Sequence, residues 1–190
     1  MADKRRRLRY GMVGGGSQGS VGVIHRNALR LNNDADLVAG SFSHDFEKSK
    51  TVGAELGVNP DRISRSHEEM AEAEAAREDG IDFVVICTPN CFHYPAAKAF
   101  LEKGIHVACD KPLCLTPEEA EDLKKTAEKT KTLFCLTHTF TGHLMSREAR
   151  ALYRKGVIGD LRTVVVEYPQ DWLVDALEKE TEEEKTWRSI

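Results

Sequence analysis

The chain has 190 residues, 41% of them hydrophobic and 31% charged, enough apolar material for a packed core and too much for wholesale disorder. Its 27 Lys and Arg against 31 Asp and Glu give a formal net charge of -4, which excludes a global basic field for nucleic acid. The longest apolar runs, such as 83–87, are far too short to span a bilayer, so no membrane partner is expected.

The five cysteines are odd in number. Neither Cys87 with Cys91 nor Cys109 with Cys114 has Cys-x-x-Cys spacing, and no His pair sits nearby, so no metal site is expected. Cys87, Cys109 and Cys135 lie in or at the end of apolar runs and read as buried small hydrophobes in a reducing compartment. The basic start at 4–7 leads into glycines rather than an apolar h-region. It reads as a solvated arm on a cytoplasmic protein.

Residues 8–13 form a short apolar-rich run that enters a glycine cluster. From 19 to 31 the pattern turns helical, with Val23, Leu29 and Leu31 expected to be buried. The next strand is expected at 37–39, then a helix over 46–56 closed by Gly57. Asn59-Pro60-Asp61 is turn chemistry. Ser66 caps a helix running to 77, with Glu69 completing a capping box. Residues 83–87 are continuously apolar, which suits a parallel strand covered on both faces. A helix over 94–103 and a strand over 105–109 follow. Thr116 then caps a helix to 130, with Pro117 at its first position and Glu119 completing the box. A strand at 133–137 and a helix over 146–155 come next. This alternation predicts an α/β fold, a Rossmann-type doubly wound parallel sheet with right-handed crossovers. Residues 162–168 alternate, which fits a sheet with one exposed face, and 175–185 read as a solvated helix or tail.

Gly14-Gly15-Gly16-Ser17-Gln18-Gly19 fits G-x-G-x-x-G between a predicted strand and a predicted helix. Gly14 permits a tight turn, Gly16 lets the backbone approach a pyrophosphate, and Gly19 lets the helix pack closely on the strand. The helix N-terminus offers N–H groups and partial positive charge to phosphates. A flexible turn, or the related loop of an adenosyl-dependent methyltransferase, is the competing reading. The acidic partner expected about 20 residues on is not evident. Ser41 and Ser43 stand there instead, with Lys48 in reach of a 2′-phosphate and Asp45 opposing one, so the choice between NAD and NADP stays open.

Asp110-Lys111-Pro112 follows the strand ending at Cys109, where residues of an open parallel sheet face a ligand crevice. A lysine there can hold a hydroxyl or polarise a carbonyl. Thr88-Pro89-Asn90 with His93 lies beyond the preceding strand. The glycine loop, Thr-Pro-Asn-x-x-His and Asp-Lys-Pro together resemble the Gfo/Idh/MocA oxidoreductases, the glucose-fructose oxidoreductase and inositol dehydrogenase superfamily. Asp110 stands where that family usually has Glu.

The resemblance implies an NAD- or NADP-dependent oxidoreductase moving hydride between the nicotinamide and a sugar, cyclitol or related polyol. It implies that Gly14, Gly16, Ser17, Gln18 and Gly19 hold the pyrophosphate. Thr88, Pro89, Asn90 and His93 would line the cofactor, with Asp110, Lys111 and Pro112 also among the cofactor-binding residues, and Lys111 would be the catalytic-centre lysine, fixed by the turn at Pro112. His138 and His143 are substrate-side candidates, whereas His25 and His67 fall in helices without a site signal. It also implies a dinucleotide-binding domain over 1–140 and the beginning of a second, mostly antiparallel α+β domain over 141–190, with 162–168 as its first strand. Family members often pair through that second sheet, so a homo-oligomer is conceivable although the sheet is incomplete. Trp187-Arg188 resembles the start of a segment that in the family runs into Asp-x-x-x-His, whose His is the usual acid/base. That His would lie beyond Ile190, so weak or absent turnover by this chain alone is expected, and a non-catalytic dinucleotide-binding module is the alternative.

Overall fold

A computed structural model describes residues 6–16 and 20–169. The expected 175–185 segment and Trp187-Arg188 lie outside them, as do Ser17, Gln18 and Gly19. Strands β1 (Leu8–Gly14), β2 (Ala35–Ser41), β3 (Phe83–Cys87), β4 (His106–Asp110) and β5 (Phe134–Thr137) form one parallel sheet in the order β2-β1-β3-β4-β5. An isolated parallel bridge joins Gly40 to Ile63 outside β2. Counted as a rudimentary third strand, it turns the order into 3-2-1-4-5-6, that of the dinucleotide-binding Rossmann sheet.

The helices are α1 (Ser20–Arg30), α2 (Phe46–Glu55), α3 (His67–Ala75), α4 (His93–Glu102), α5 (Pro117–Thr130) and α6 (Leu144–Arg154). They start where the chain supplies caps. Asp45 accepts from Glu47 N and Lys48 N at the head of α2. Thr116 and Glu119 form the expected reciprocal box on α5. Only half of the box expected at Ser66 forms, because Glu69 reaches back to Arg65 N instead, at 2.7 Å.

The core lies on both faces of the sheet, which is why β3 carries no polar alternation. Val84 and Ile86 join one apolar cluster with Met70, Phe100 and Leu123, while Val85 joins Tyr10, Met12 and Val52 in the other. Each such fully buried side chain contributes about 1.5–3 kcal/mol. Arg62 and Glu74 form a buried ion pair, and Glu74 Oε2 also accepts from Ile81 N at 3.1 Å. That pair pins the segment around Ile63 to α3 and to the entry of β3.

Three local expectations fail. Leu31 is 84% exposed, because α1 stops at Arg30 before Leu31 can return to the core face. Cys135 is exposed, since β5 is an edge strand, whereas Cys109 is buried. Residues 162–168 form no strand, and Val164, Val165 and Val166 are exposed. The alternating pattern has no partner strand among the described residues, and without one there is no sheet.

The chain divides after His138 into two units. The first holds the sheet and α1 to α5. In the described part of the second, α6 follows a 3-10 turn, and Phe140 packs edge-on against His143 at 5.2 Å and Tyr168 at 5.6 Å. No helix of the described residues is long and apolar enough to cross a membrane.

Candidate functional site

Sheet order reverses at β1, so a crevice opens beyond the C-terminal ends of β1 and β3. Gly14, opposite Cys87 in the register, turns the chain out of β1 with φ of +75°, and Gly15 follows at +65°. Side chains rarely adopt that conformation. A Cβ on Gly15 would also lie 2.5 Å from Cys87 Sγ, and one on Gly22 of α1 would strike the Gly15 backbone. The close approach of helix to loop, expected at Gly19, therefore includes Gly22 among the described residues. Among the described residues, a Cβ at Gly16 would meet only Val52 Cγ2 at 3.7 Å, an ordinary contact, so those residues leave open space beside that backbone.

Arg26 reaches under this turn from α1. Only 4% exposed, it donates from Nη1 to Gly15 O at 2.6 Å. Sequence reading missed it, since a lone arginine in a helix reads as a solvated residue.

A cavity of about 530 Å³ opens beside the turn. Its wall includes Gly14, Gly15, Ser41, Ser43, Thr88 and Pro89, so six strand-end residues from three strands converge as the glycine motif requires. Lys48, read from sequence as in reach of a 2′-phosphate, is part of it, as are Phe92, Arg65 and His67, which had no cofactor contact assigned from sequence. The Thr88 hydroxyl is buried and meets no partner among the described residues. His67 Nε2 lies 3.1 Å from Glu68 Oε1 but without hydrogen-bond alignment. Burial pushes the His67 pKa below its usual 6.5, against the opposing pull of Glu68. Two buried polar atoms in one wall, open space beside Gly16 and a positive-φ turn at a helix N-terminus fit a polar, phosphate-bearing ligand such as a dinucleotide.

Lys111 is exposed just past β4. Two anchors fix its neighbours. Asp110 Oδ1 accepts from Thr137 Oγ1 at 2.6 Å and lies 3.1 Å from His25 Nε2. Burial pushes the Asp110 carboxyl up, but the bonds from His25 and Thr137 outweigh it and hold the group below its usual 3.8. His25, set aside on sequence, thus ties α1 to the head of the Asp-Lys-Pro turn. Its role was hidden because nothing in the sequence says which strand end that helix face meets.

His93 is the second anchor, 1% exposed, with Nδ1 2.6 Å from Pro112 O and Nε2 2.9 Å from Thr88 O. Both ring nitrogens are occupied by main-chain oxygens. This corrects the expectation that His93 lines the cofactor: the ring staples the Thr-Pro-Asn loop to the Asp-Lys-Pro turn. Asn90 heads a short 3-10 turn and is absent from the cavity wall. His138 is exposed directly after β5 in the first unit, and His143 begins α6 in the second. Burial pushes the Cys87 and Cys109 thiols up to about 12 and also raises Cys114, so none of these three is activated by its surroundings.

The strand order, the glycine turn and the cavity at the switch point define a dinucleotide-binding Rossmann domain. The chain belongs to the oxidoreductase family with an NAD-binding Rossmann fold, whose profile matches residues 8–138. It is 44% identical over 162 residues to an uncharacterized oxidoreductase, YfiI, of Bacillus subtilis, covering 85% of this chain and 41% of that protein. The crystal structure of an oxidoreductase from Sinorhizobium meliloti superposes with a TM-score of 0.84 at 50% identity, over 89% of this chain and 47% of that one. An inositol dehydrogenase homolog from Azotobacter vinelandii, complexed with NADH and myo-inositol, gives 0.79 at 39% identity, over 83% of this chain and 41% of that one. The chain thus spans less than half the length of these relatives.

Proposed function

We propose that the protein holds NAD or NADP across the β1/β3 switch point and moves hydride between that cofactor and a sugar, cyclitol or related polyol. The observation that carries this reading is the neighbourhood of two features on one sheet edge. The positive-φ glycine turn ends β1, Asp110-Lys111-Pro112 ends β4, and β3 alone separates the two strands. When bound, the nicotinamide supplies the hydride acceptor or donor.

The residues have distinct tasks. The turn at 14–16 and the N-terminal end of α1 bind the diphosphate, and Ser17, Gln18 and Gly19 are proposed as further diphosphate contacts. Ser41 and Ser43 take the adenosine ribose. Thr88 and Pro89 flank the middle of the cofactor, Thr88 through its hydroxyl, which has no partner among the described residues. Lys111 donates to the substrate oxygen, holding it in place and favouring the negative charge that builds there as a proton leaves. Asp110, through His25 and Thr137, and His93, through Thr88 and Pro112, position that lysine. His138 is proposed on the substrate side. The myo-inositol complex of the Azotobacter relative supports a polyol substrate.

The test is Lys111→Met. It is expected to leave the Kd for NADH and NADPH within about threefold of the unaltered chain, while polyol-dependent reduction of NAD or NADP falls by about 100-fold or more. Polyol-dependent turnover left unchanged by Lys111→Met, or a loss of NADH and NADPH binding as large as the loss of turnover, would contradict the role given to the lysine. Preference for S-adenosylmethionine in calorimetric titration would contradict the cofactor itself.

A further inference from the structure

We propose that the cavity at the end of β2 selects NADP over NAD, through Lys48 and Arg65 acting on the 2′-phosphate. The inference rests on the reading that this cavity takes the adenosine end of the cofactor. A wall built for NAD places a carboxylate at the end of the second strand, where it accepts from the ribose hydroxyls. Here the wall carries Ser41, Ser43, His44, Lys48 and Arg65 and no carboxylate. Asp45 is the nearest acid in sequence, and it is spent on the head of α2, where Oδ1 accepts from Glu47 N at 2.9 Å and Lys48 N at 3.3 Å.

The two cations are also left without counter-charges while their neighbours are compensated. Lys50 pairs with Glu47 at 2.6 Å, and Arg62 pairs with Glu74. Neither Lys48 nor Arg65 forms an ion pair among the described residues. Glu69 Oε2 accepts from the backbone N–H of Arg65 at 2.7 Å rather than from its guanidinium. The guanidinium instead rests over the Phe46 ring, 4.2 Å from its centroid, which limits the conformations it must lose on meeting an anion. Two unpaired cations facing a cavity that opens onto the diphosphate turn suit one more phosphate. The Azotobacter relative is complexed with NADH, so the preference is argued from this chain's own residues.

Fluorescence titration of the purified chain with NADPH and with NADH tests this, alongside calorimetry with 2′,5′-ADP and 5′-AMP. The expected result is a Kd for NADPH about tenfold or more below that for NADH, narrowing as salt rises. The exposed pair Lys48→Ala and Arg65→Ala together should bring the two Kd values together, and Ser43→Asp should turn the preference toward NADH. Equal affinities, or tighter NADH, would overturn the inference and leave the cofactor reading intact. A preference that survives the double variant would overturn the assignment to these two residues. Absence of binding by either nucleotide would overturn the inference and the cofactor reading together.

Discussion

Arg26 shows how one side chain can govern a loop that carries no side chains of its own. Its guanidinium is almost completely buried and holds Gly15 O, so the turn keeps its shape without a ligand. Replacement by Met keeps the apolar stem and removes the donor, leaving a carbonyl unmet. A lost bond to a charged donor costs about 1.5–3 kcal/mol. Arg26→Met is therefore expected to weaken NADPH binding at least tenfold while the far-ultraviolet circular dichroism stays native, and an unchanged Kd would contradict this role. His93 works by the same logic on the other side of the crevice.

Among the elements, the segment between α2 and α3 deserves the name of strand least and matters most to the topology. It pairs with β2 only at Ile63, yet Arg62 and Glu74 bury a salt bridge to hold it there. Glu74→Ala would remove the close partner of the buried Arg62 guanidinium and leave it the longer contact to Asp79 Oδ2 at 3.5 Å, a loss of up to about 3–5 kcal/mol. Urea denaturation is expected to show a midpoint well below that of the unaltered chain, and an unchanged midpoint would mean that the pair is not holding the segment. Nothing at residues 62–64 marks this rudiment in sequence, because it makes a single bridge. By contrast, β3 was legible to the residue, since a strand covered on both faces must be apolar throughout. The second strand was expected only at 37–39, because Asp36, Gly40 and Ser41 are poor strand formers placed by their pairing with β1. The glycine turn and the Asp-Lys-Pro turn could be read locally. The His25–Asp110 and His93–Pro112 links could not, because they join residues 85 and 19 positions apart through tertiary packing.

Across the whole molecule, acid acts through groups whose protonation differs between folded and unfolded chains. Burial holds His67 below 6.5, so its contribution to stability is complete above that value and is lost as pH falls below it. Asp82, through its bond from Arg6, and Asp110, through His25 and Thr137, are held below 3.8. Their contribution is present above that value and disappears as pH falls through the lower folded values. Unfolding free energy should therefore decline first on the acid side of 6.5 and again on the acid side of 3.8, with Asp110→Asn weakening the second decline. Stability that stays level from neutral pH to the carboxylate range would contradict the His67 part.

A structure of the chain with NADPH bound tests the central claim most directly. The diphosphate is expected against the backbone of 14–16, the adenosine between Ser43, Lys48 and Arg65, and the nicotinamide facing Lys111. A dinucleotide seated elsewhere, or a crevice still vacant at saturating NADPH and NADH, would contradict it.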